Sequence, residues 1–254
     1  MNRLLIAAVI SIIAASNSFA QTQVIAHRGF HATENSYNNT ISALKNAQQL
    51  GIYGSEFDVH ETRDGSLIVI HGLRHLTIPN VQDEDFATIR NLPLSNGEIV
   101  PTLDEYLEQG KQSATTRLII EIKSHSTAEQ ETRVVKKVLA TVEKHELSSL
   151  VEYIAFSKHV CNELVKYSPK GTKIAYLSGD LTPEQCKEAG FTGIDYSIEV
   201  TKNNPQWIKQ SHELGLTVNV WTVNDTENLQ WCIDHGIDFI TTDNPTEAIR
   251  LLEK

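Results

Sequence analysis

Residues 24–60 read VIAHRGFHATENSYNNTISALKNAQQLGIYGSEFDVH, and this stretch contains the pattern from which the fold can be predicted. Short runs of strand-forming residues near 24–27 and 55–60 predict two strands. Between them, near 37–50, apolar residues recur at helical spacing, namely Ile41, Leu44, Ala47 and Leu50. Because an intervening helix allows two strands to run in the same direction, the stretch predicts a parallel β-α-β unit.

Residues typical of helix ends flank the predicted helices. Ser36 can cap the start of the helix near 37–50, and Gly51 can end it in a left-handed conformation. Pro183 and Pro245 lie near the predicted starts of two later helices, where proline is tolerated.

The alternation of strand and helix continues to the end of the chain. Further strands are predicted near 118–122, 152–156, 173–177, 193–196, 217–223 and 238–242. Further helices are predicted near 102–109, 127–145, 158–167, 183–189, 204–214, 226–235 and 245–252. Eight strands in a chain of 254 residues predict one TIM-type (β/α)8 barrel over residues 21–254. A doubly wound sheet would also alternate, but it usually carries a glycine-rich loop after its first strand, where only Gly29 occurs.

A further strand-like run, Leu67–His71, follows the second strand too closely to be a barrel strand, because a parallel crossover needs a dozen or more residues. Asp64 and Gly65 form a dipeptide typical of a tight turn. We therefore predict a short β-hairpin that extends the second strand and brings position 71 opposite position 57.

The charge of the chain limits its partners. It has 32 acidic and 22 basic residues, for a formal net charge of −10, which opposes nonspecific binding to nucleic acid or to an anionic membrane. A negatively charged substrate would therefore need local cations. The three cysteines, Cys161, Cys186 and Cys232, are too scattered for a disulfide framework, and we expect buried thiols or at most one bridge.

Residues 1–20 resemble a secretory signal peptide. Arg3 precedes the apolar run Leu4–Ala15, and small residues, Ser18 and Ala20, lie before a cleavage point. The run is too short to be retained across a bilayer, so we expect no stable membrane anchor. An uncleaved N-terminal anchor is the alternative. The mature protein is expected to begin near Gln21 and to be exported, either periplasmic or secreted.

Two carboxylates in the second strand indicate a metal site. Glu56 and Asp58 are two residues apart, so their side chains point to the same face of the strand. Two adjacent carboxylates repel unless a positive charge lies between them, and a divalent cation with oxygen ligands meets that need. Glu121, at the end of the third barrel strand, can complete the site. The alternative is a pair of solvated charges on an exposed edge.

Cations and imidazoles are predicted at the same end of the barrel, where TIM-barrel active sites lie. Arg28 and Lys123 follow strand ends and can contact an anionic phosphoryl group, although each could instead form an ordinary surface ion pair. His27 and His71 are suited to proton transfer. Trp221 could form an apolar wall of the pocket or be a plain core aromatic residue.

Together these motifs resemble the glycerophosphodiester phosphodiesterase family of phospholipase C-like phosphodiesterase TIM barrels. The family pattern runs HRG, ENT, ExD, DG followed by HD, then ExK, and late in the chain W with TVN. This sequence matches from about Val24 to Pro245. Two departures occur: the family's HD is here His71-Gly72, and the usual Pro-Glu-Asn-Thr is here Thr33-Glu34-Asn35-Ser36.

The resemblance implies roles for individual residues. Glu56, Asp58 and Glu121 would bind one divalent cation, Mg²⁺ or Ca²⁺, and Glu34 would join them or support the geometry of the site. By the same resemblance, His27 and His71 would be the acid and base, and Arg28 and Lys123 would bind phosphate. From its place at a strand end, we also expect Trp221 to contact the substrate.

The implied activity is metal-dependent hydrolysis of a small glycerophosphodiester to sn-glycerol 3-phosphate and an alcohol. Two alternatives stay open. A related phosphodiesterase could act on another phosphodiester or on a lipid head group. A noncatalytic binding protein could have kept the pocket and lost turnover through the change at Gly72.

Overall fold

The computed structural model describes residues 21–253, and the predicted signal peptide lies outside them. Eight parallel strands form the barrel: β1 (Gln23–Ala26), β2 (Gly54–Glu61), β4 (Arg117–Ile122), β5 (Val151–Ala155), β6 (Ile174–Tyr176), β7 (Gly193–Ser197), β8 (Thr217–Trp221) and β9 (Phe239–Thr242). The sheet closes because β1 pairs in parallel with both β2 and β9. The predicted TIM-type barrel and its eight strands are therefore confirmed.

The additional strand, β3 (Leu67–Val69), is antiparallel to β2. Val59 pairs with Val69 and His60 pairs with Ile68. The same register brings position 71 towards position 57, as the Asp-Gly turn predicts. The hairpin extension of the second barrel strand is confirmed.

The described residues form ten α-helices: α1 (Ile41–Leu50), α2 (Phe86–Arg90), α3 (Leu103–Gly110), α4 (Ala128–Lys144), α5 (Lys158–Tyr167), α6 (Pro183–Glu188), α7 (Ile198–Asn203), α8 (Gln206–Glu213), α9 (Thr226–Asp234) and α10 (Pro245–Leu252). The short helices α2 and α7 were not predicted. Pro183 and Pro245 begin their helices, and Gly51 ends α1 with a φ of 66°, as expected.

The predicted cap at Ser36 is wrong. Asn39 has a φ of 60°, which is incompatible with a helix, so α1 starts only after it. Thr40 is extended and its side chain accepts a hydrogen bond from the backbone N–H of Ala43. Thr40 is therefore the cap residue.

The apolar core formed by residues 21–253 has three parts. The largest lies between the strands and the surrounding helices. A second lies inside the barrel and includes Ile25, Ile119 and Ile154. A third packs β3 against the segment 72–101, which contains a 3-10 helix and α2, and it includes the following buried residues: Ile68, Ile70, Ile78, Val81, Ile89 and Val100. The segment therefore forms a small lobe beside the C-terminal end of β2.

The three cysteines are free and buried, in agreement with the expectation of buried thiols. Within residues 21–253, no helix combines the length and apolar character that crossing a bilayer requires.

Candidate active site

Three buried carboxylates converge at the C-terminal end of the barrel. Glu56 and Asp58 extend from β2, and Glu121 extends from the neighbouring β4, where it is in register with Asp58. One carboxylate oxygen from each residue lies within 4.8 Å of the others. The side chains that alternation and strand order predicted to meet are therefore close together.

The turn after β1 adapts the backbone to this cluster. Arg28 and Gly29 both have positive φ, 54° and 78°. A Cβ atom at Gly29 would lie 2.7 Å from the backbone carbon of Ala43, so the close approach of α1 requires glycine. In this conformation the Arg28 backbone N–H donates a 2.8 Å hydrogen bond to Glu56. The unusual backbone thus places both the amide and the side chain of Arg28 at the site.

Asp58 is the most heavily paired carboxylate of the three. Its oxygens lie 3.1 Å from Lys123 Nζ and 3.5 Å from Arg28 Nε, and one accepts a 2.7 Å hydrogen bond from Asn39. Burial opposes its charge, but the hydrogen bond from His71 and the charge of Lys123 hold the pKa of Asp58 well below its usual range. Asp58 is therefore ionised at neutral pH.

The pKa values of Glu56 and Glu121 are shifted in the opposite direction, upwards. Burial, followed by repulsion from Asp58, raises the pKa of Glu121 to about 7, although Lys123 lies 2.7 Å away. Burial, then Asp58 and Glu121, raise the pKa of Glu56 well above its ordinary value. Within residues 21–253, Glu56 Oε1 is buried without a hydrogen-bond partner. An unpartnered carboxylate oxygen among three buried carboxylates fits a hard divalent cation with oxygen ligands.

The contacts of His71 define its neutral tautomer. Its Nε2 lies 3.0 Å from Arg28 Nη2, and its Nδ1 lies 3.2 Å from both oxygens of Asp58. A guanidinium only donates, so Nε2 must accept and the proton must be on Nδ1. His60 is buried and fixes the His71 backbone, because its Nε2 lies 3.2 Å from the His71 carbonyl oxygen.

His27 is oriented by Asp243, which was not among the predicted site residues. His27 Nδ1 lies 2.8 Å from Asp243 Oδ1, so the proton is on Nδ1 and Nε2 can accept another. Burial lowers the pKa of His27, and the hydrogen bond with Asp243 opposes that effect. His31 and Asn224 also contact Asp243, at 3.1 and 2.7 Å. The position of Asp243, directly after the last barrel strand, is the signal that could have identified it.

Trp221, at the C-terminal end of β8, and Phe156, directly after β5, form an aromatic pair. Trp221 donates a 2.9 Å hydrogen bond from Nε1 to the Asp195 carbonyl oxygen, and its ring packs edge-on against Phe156 with 5.5 Å between centroids. Phe156 was not predicted. Glu34 is exposed and lies outside the group of three carboxylates.

Carboxylates, cations and imidazoles thus lie together at the C-terminal end of a (β/α)8 barrel. TIM-barrel enzymes have their active sites at that end. The model of the glycerophosphoryl diester phosphodiesterase family matches residues 27–247, so the chain belongs to this family of phosphoric diester hydrolases. The family predicted from the motifs is confirmed.

Individual relatives agree over nearly their whole length. A glycerophosphodiester phosphodiesterase from Parabacteroides distasonis is 42% identical, with a TM-score of 0.90 over 92% of this chain and 97% of that one. A glycerophosphodiester phosphodiesterase from Caldanaerobacter subterraneus is 28% identical over 92% of this chain and 99% of the relative. An Oleispira antarctica phosphodiesterase in complex with the product sn-glycerol-3-phosphate shares the fold, with 19% identity, a TM-score of 0.80, and coverage of 92% of this chain and 98% of that one.

Proposed function

We propose that this protein hydrolyses glycerophosphodiesters to sn-glycerol 3-phosphate and an alcohol, with one divalent cation, Mg²⁺ or Ca²⁺. The observation that carries the proposal is the convergence of Glu56, Asp58 and Glu121 beside Arg28 and Lys123. Family membership supports the reaction class. The product bound to the Oleispira antarctica phosphodiesterase is the product expected here.

Glu56, Asp58 and Glu121 would hold the cation. When bound, a divalent cation supplies positive charge to phosphoryl oxygens and lowers the pKa of a coordinated hydroxyl group or water. Only two cationic side chains, Arg28 and Lys123, contact these three carboxylates within residues 21–253, so the protein alone leaves part of their negative charge uncompensated. This imbalance favours cation binding.

Arg28 and Lys123 bind the phosphodiester in this proposal. Arg28 Nε is buried and donates no hydrogen bond within residues 21–253, although it lies 3.5 Å from Asp58. A movement of the side chain that brings this N–H group to a phosphoryl oxygen would therefore break no existing hydrogen bond. The ammonium group of Lys123, held between Asp58 and Glu121, adds positive charge from the other side.

His27 and His71 exchange the protons. One imidazole accepts a proton from the nucleophile as it attacks phosphorus, and the other donates a proton to the alcohol oxygen as the phosphorus–oxygen bond breaks. In the neutral tautomers described above, both Nε2 atoms carry the lone pair, so the imidazole that acts as the acid must enter the reaction as an imidazolium, with a second proton on Nε2. The nucleophile is either water or a neighbouring substrate hydroxyl group, which would form a cyclic phosphate that water then opens.

The test is product analysis after incubation of the purified protein with a panel of phosphodiesters, in Mg²⁺, Ca²⁺ or chelator. The proposal predicts sn-glycerol 3-phosphate and a free alcohol, with loss of activity in chelator. Preferential cleavage of intact bilayer lipids would instead support a lipid-directed phosphodiesterase. Tight phosphodiester binding without any product, with metal supplied, would support a noncatalytic binding protein.

We further propose that residues 1–20 direct export and are removed near Ala20. The apolar run that follows Arg3 supports this proposal. N-terminal sequencing of the protein recovered from the cell envelope or the medium tests it. Recovery of a chain that still begins at Met1 would contradict it.

A further inference from the structure

A small cleft opens beside His71, between the turn after β1 and the lobe formed by residues 72–101. It has a volume of about 240 Å³, and its lining includes Arg28, Tyr37, Asn38, His71, Gly72 and Arg74. Clefts for drug-sized ligands measure roughly 300–1,000 Å³, so this one suits a smaller polar molecule, of the size of one half of a small diester. Because Arg28 and His71 border both the cleft and the three-carboxylate cluster, a substituent on a phosphate bound there can extend into the cleft.

The cleft carries positive charge. Two arginines, Arg28 and Arg74, line it, and no acidic residue from residues 21–253 does. Arg28 is already engaged with Asp58 and His71. The exposed guanidinium group of Arg74 has no ion pair or hydrogen bond with any described residue, so its charge is available to a ligand.

Gly72 keeps negative charge out of this cleft. A Cβ atom at Gly72 would meet only backbone atoms of Arg74, the nearest at 3.7 Å, which is ordinary van der Waals contact. The φ of Gly72 is also not in the left-handed region that requires glycine. A side chain would therefore fit, and an acidic one would offset the charge of Arg74.

We propose that this cleft receives the alcohol half of the diester, and that Arg74 makes the enzyme prefer an alcohol with a negative charge of its own over one with a cation. The ligand class is an anionic polyol or hydroxy acid, which an arginine fork binds through a phosphate or carboxylate group. The inference depends on the proposed function, because it concerns the specificity of the same reaction.

The experiment compares kcat/KM for three diesters that all release sn-glycerol 3-phosphate. Glycerophosphoinositol and glycerophosphoinositol 4-phosphate differ by one anionic group, and glycerophosphocholine carries a cation. The expected order is inositol phosphate, then inositol, then choline. The preference should weaken as ionic strength rises, because the charges that produce it are exposed to solvent.

Arg74→Gln should reduce the ratio of kcat/KM between the inositol phosphate and choline diesters by about tenfold, the loss expected for one charge-assisted hydrogen bond. Gly72→Asp should shift the ratio in the same direction, and Arg74→Lys should retain most of the preference. Lys170→Gln is the matched control, because Lys170 is exposed in the loop before β6 at the opposite end of the barrel.

Different results would refute the charge preference and the proposed function. Turnover of all three diesters with equal kcat/KM, or a ratio unaffected by Arg74→Gln, would refute the inference and leave the proposed function intact. No turnover of any diester, with Mg²⁺ or Ca²⁺ supplied, would refute the proposed function and the inference with it.

Discussion

The two ends of the barrel both contain a carboxylate beside a lysine, but they differ in the balance of charge. At the N-terminal end, Glu152 lies 3.0 Å from Lys173 Nζ and 4.0 Å from Arg117 Nε, and it accepts a hydrogen bond from the Tyr53 hydroxyl group. At this end, a single carboxylate forms ion pairs with two cations and accepts a hydrogen bond from a phenol. Its interactions are complete within the protein.

At the C-terminal end, three carboxylates share the charges of Arg28 and Lys123, and Glu56 Oε1 has no hydrogen-bond partner within residues 21–253. Burial and mutual repulsion raise the pKa values of Glu56 and Glu121. An ion pair in a barrel is therefore not itself evidence of function. The informative feature is an uncompensated group of like charges, because stability alone would not select it.

The largest effect on activity is expected when the imidazoles at the C-terminal end of the barrel are removed. We expect His27→Ala and His71→Ala each to lower kcat by about 10²–10⁴-fold, the range for loss of a general acid or base. Steady-state kinetics with glycerophosphodiesters measures the effect. His235→Ala is the control, because that exposed imidazole stacks on Trp231 at the end of α9, away from the site. Retention of wild-type kcat by either site variant would exclude that histidine from the chemistry.

Glu56→Gln should separate activity from stability. We expect activity to fall by at least about 100-fold because a cation ligand is weakened. In chelator, however, the free energy of unfolding should stay the same or rise, because the variant removes one of three repelling carboxylates. Steady-state kinetics measures the loss of activity. Urea unfolding in chelator and in Mg²⁺ measures the change in the free energy of unfolding.

Glu152→Gln is the matched change at the other end of the barrel, and it should have the opposite outcome, a loss of stability with activity retained. A Glu56→Gln protein that is less stable than the wild type in chelator would show that the carboxylate group at position 56 is structural.

Asp243→Asn tests the orientation of His27. We expect kcat to fall by roughly 10–100-fold, because an amide no longer holds one tautomer of the imidazole. A carboxylate stabilises the imidazolium form, so its removal should lower the pKa of His27 further below its ordinary value. One limb of the pH profile should therefore move to lower pH.

The limb that moves assigns the role of His27. A shift of the acidic limb identifies a general base, and a shift of the alkaline limb identifies a general acid. Asp234→Asn, at the exposed end of α9, is the control and should leave the profile unchanged. An unchanged profile in Asp243→Asn would mean that this carboxylate does not act through His27.

The sequence was sufficient to predict the barrel and the carboxylate cluster, because both depend on regular periodicity. Alternation places Glu56 and Asp58 on one face, and the parallel register places Glu121 beside Asp58. The hairpin was predictable from Asp64-Gly65, because such a turn fixes the pairing of the residues that follow. These features require no knowledge of irregular backbone.

Features that depend on irregular backbone were not predictable. The cap of α1 lies at Thr40 because Asn39 has a left-handed conformation, and the Asn39 side chain bonds Asp58 in that conformation. The contact between Asp243 and His27 joins the two ends of the chain, across the pairing of β1 with β9. The position of Asp243 after the last barrel strand indicates that it lies near the site, but no local pattern indicates that its side chain turns towards one particular imidazole.

The smallest effect is expected at the N-terminal end, where Lys173→Met removes one cation from Glu152. The loss leaves a largely buried carboxylate with weaker compensation, and we expect it to lower the free energy of unfolding by about 1–2 kcal/mol. Turnover per folded molecule should not change, because Lys173 lies before β6 and far from the catalytic end. Lys170→Met is the control for the same loop, since Lys170 is exposed. A loss of turnover in Lys173→Met at equal stability would mean that the two ends are coupled through the interior of the barrel, and that the charge balance at each end cannot be interpreted separately.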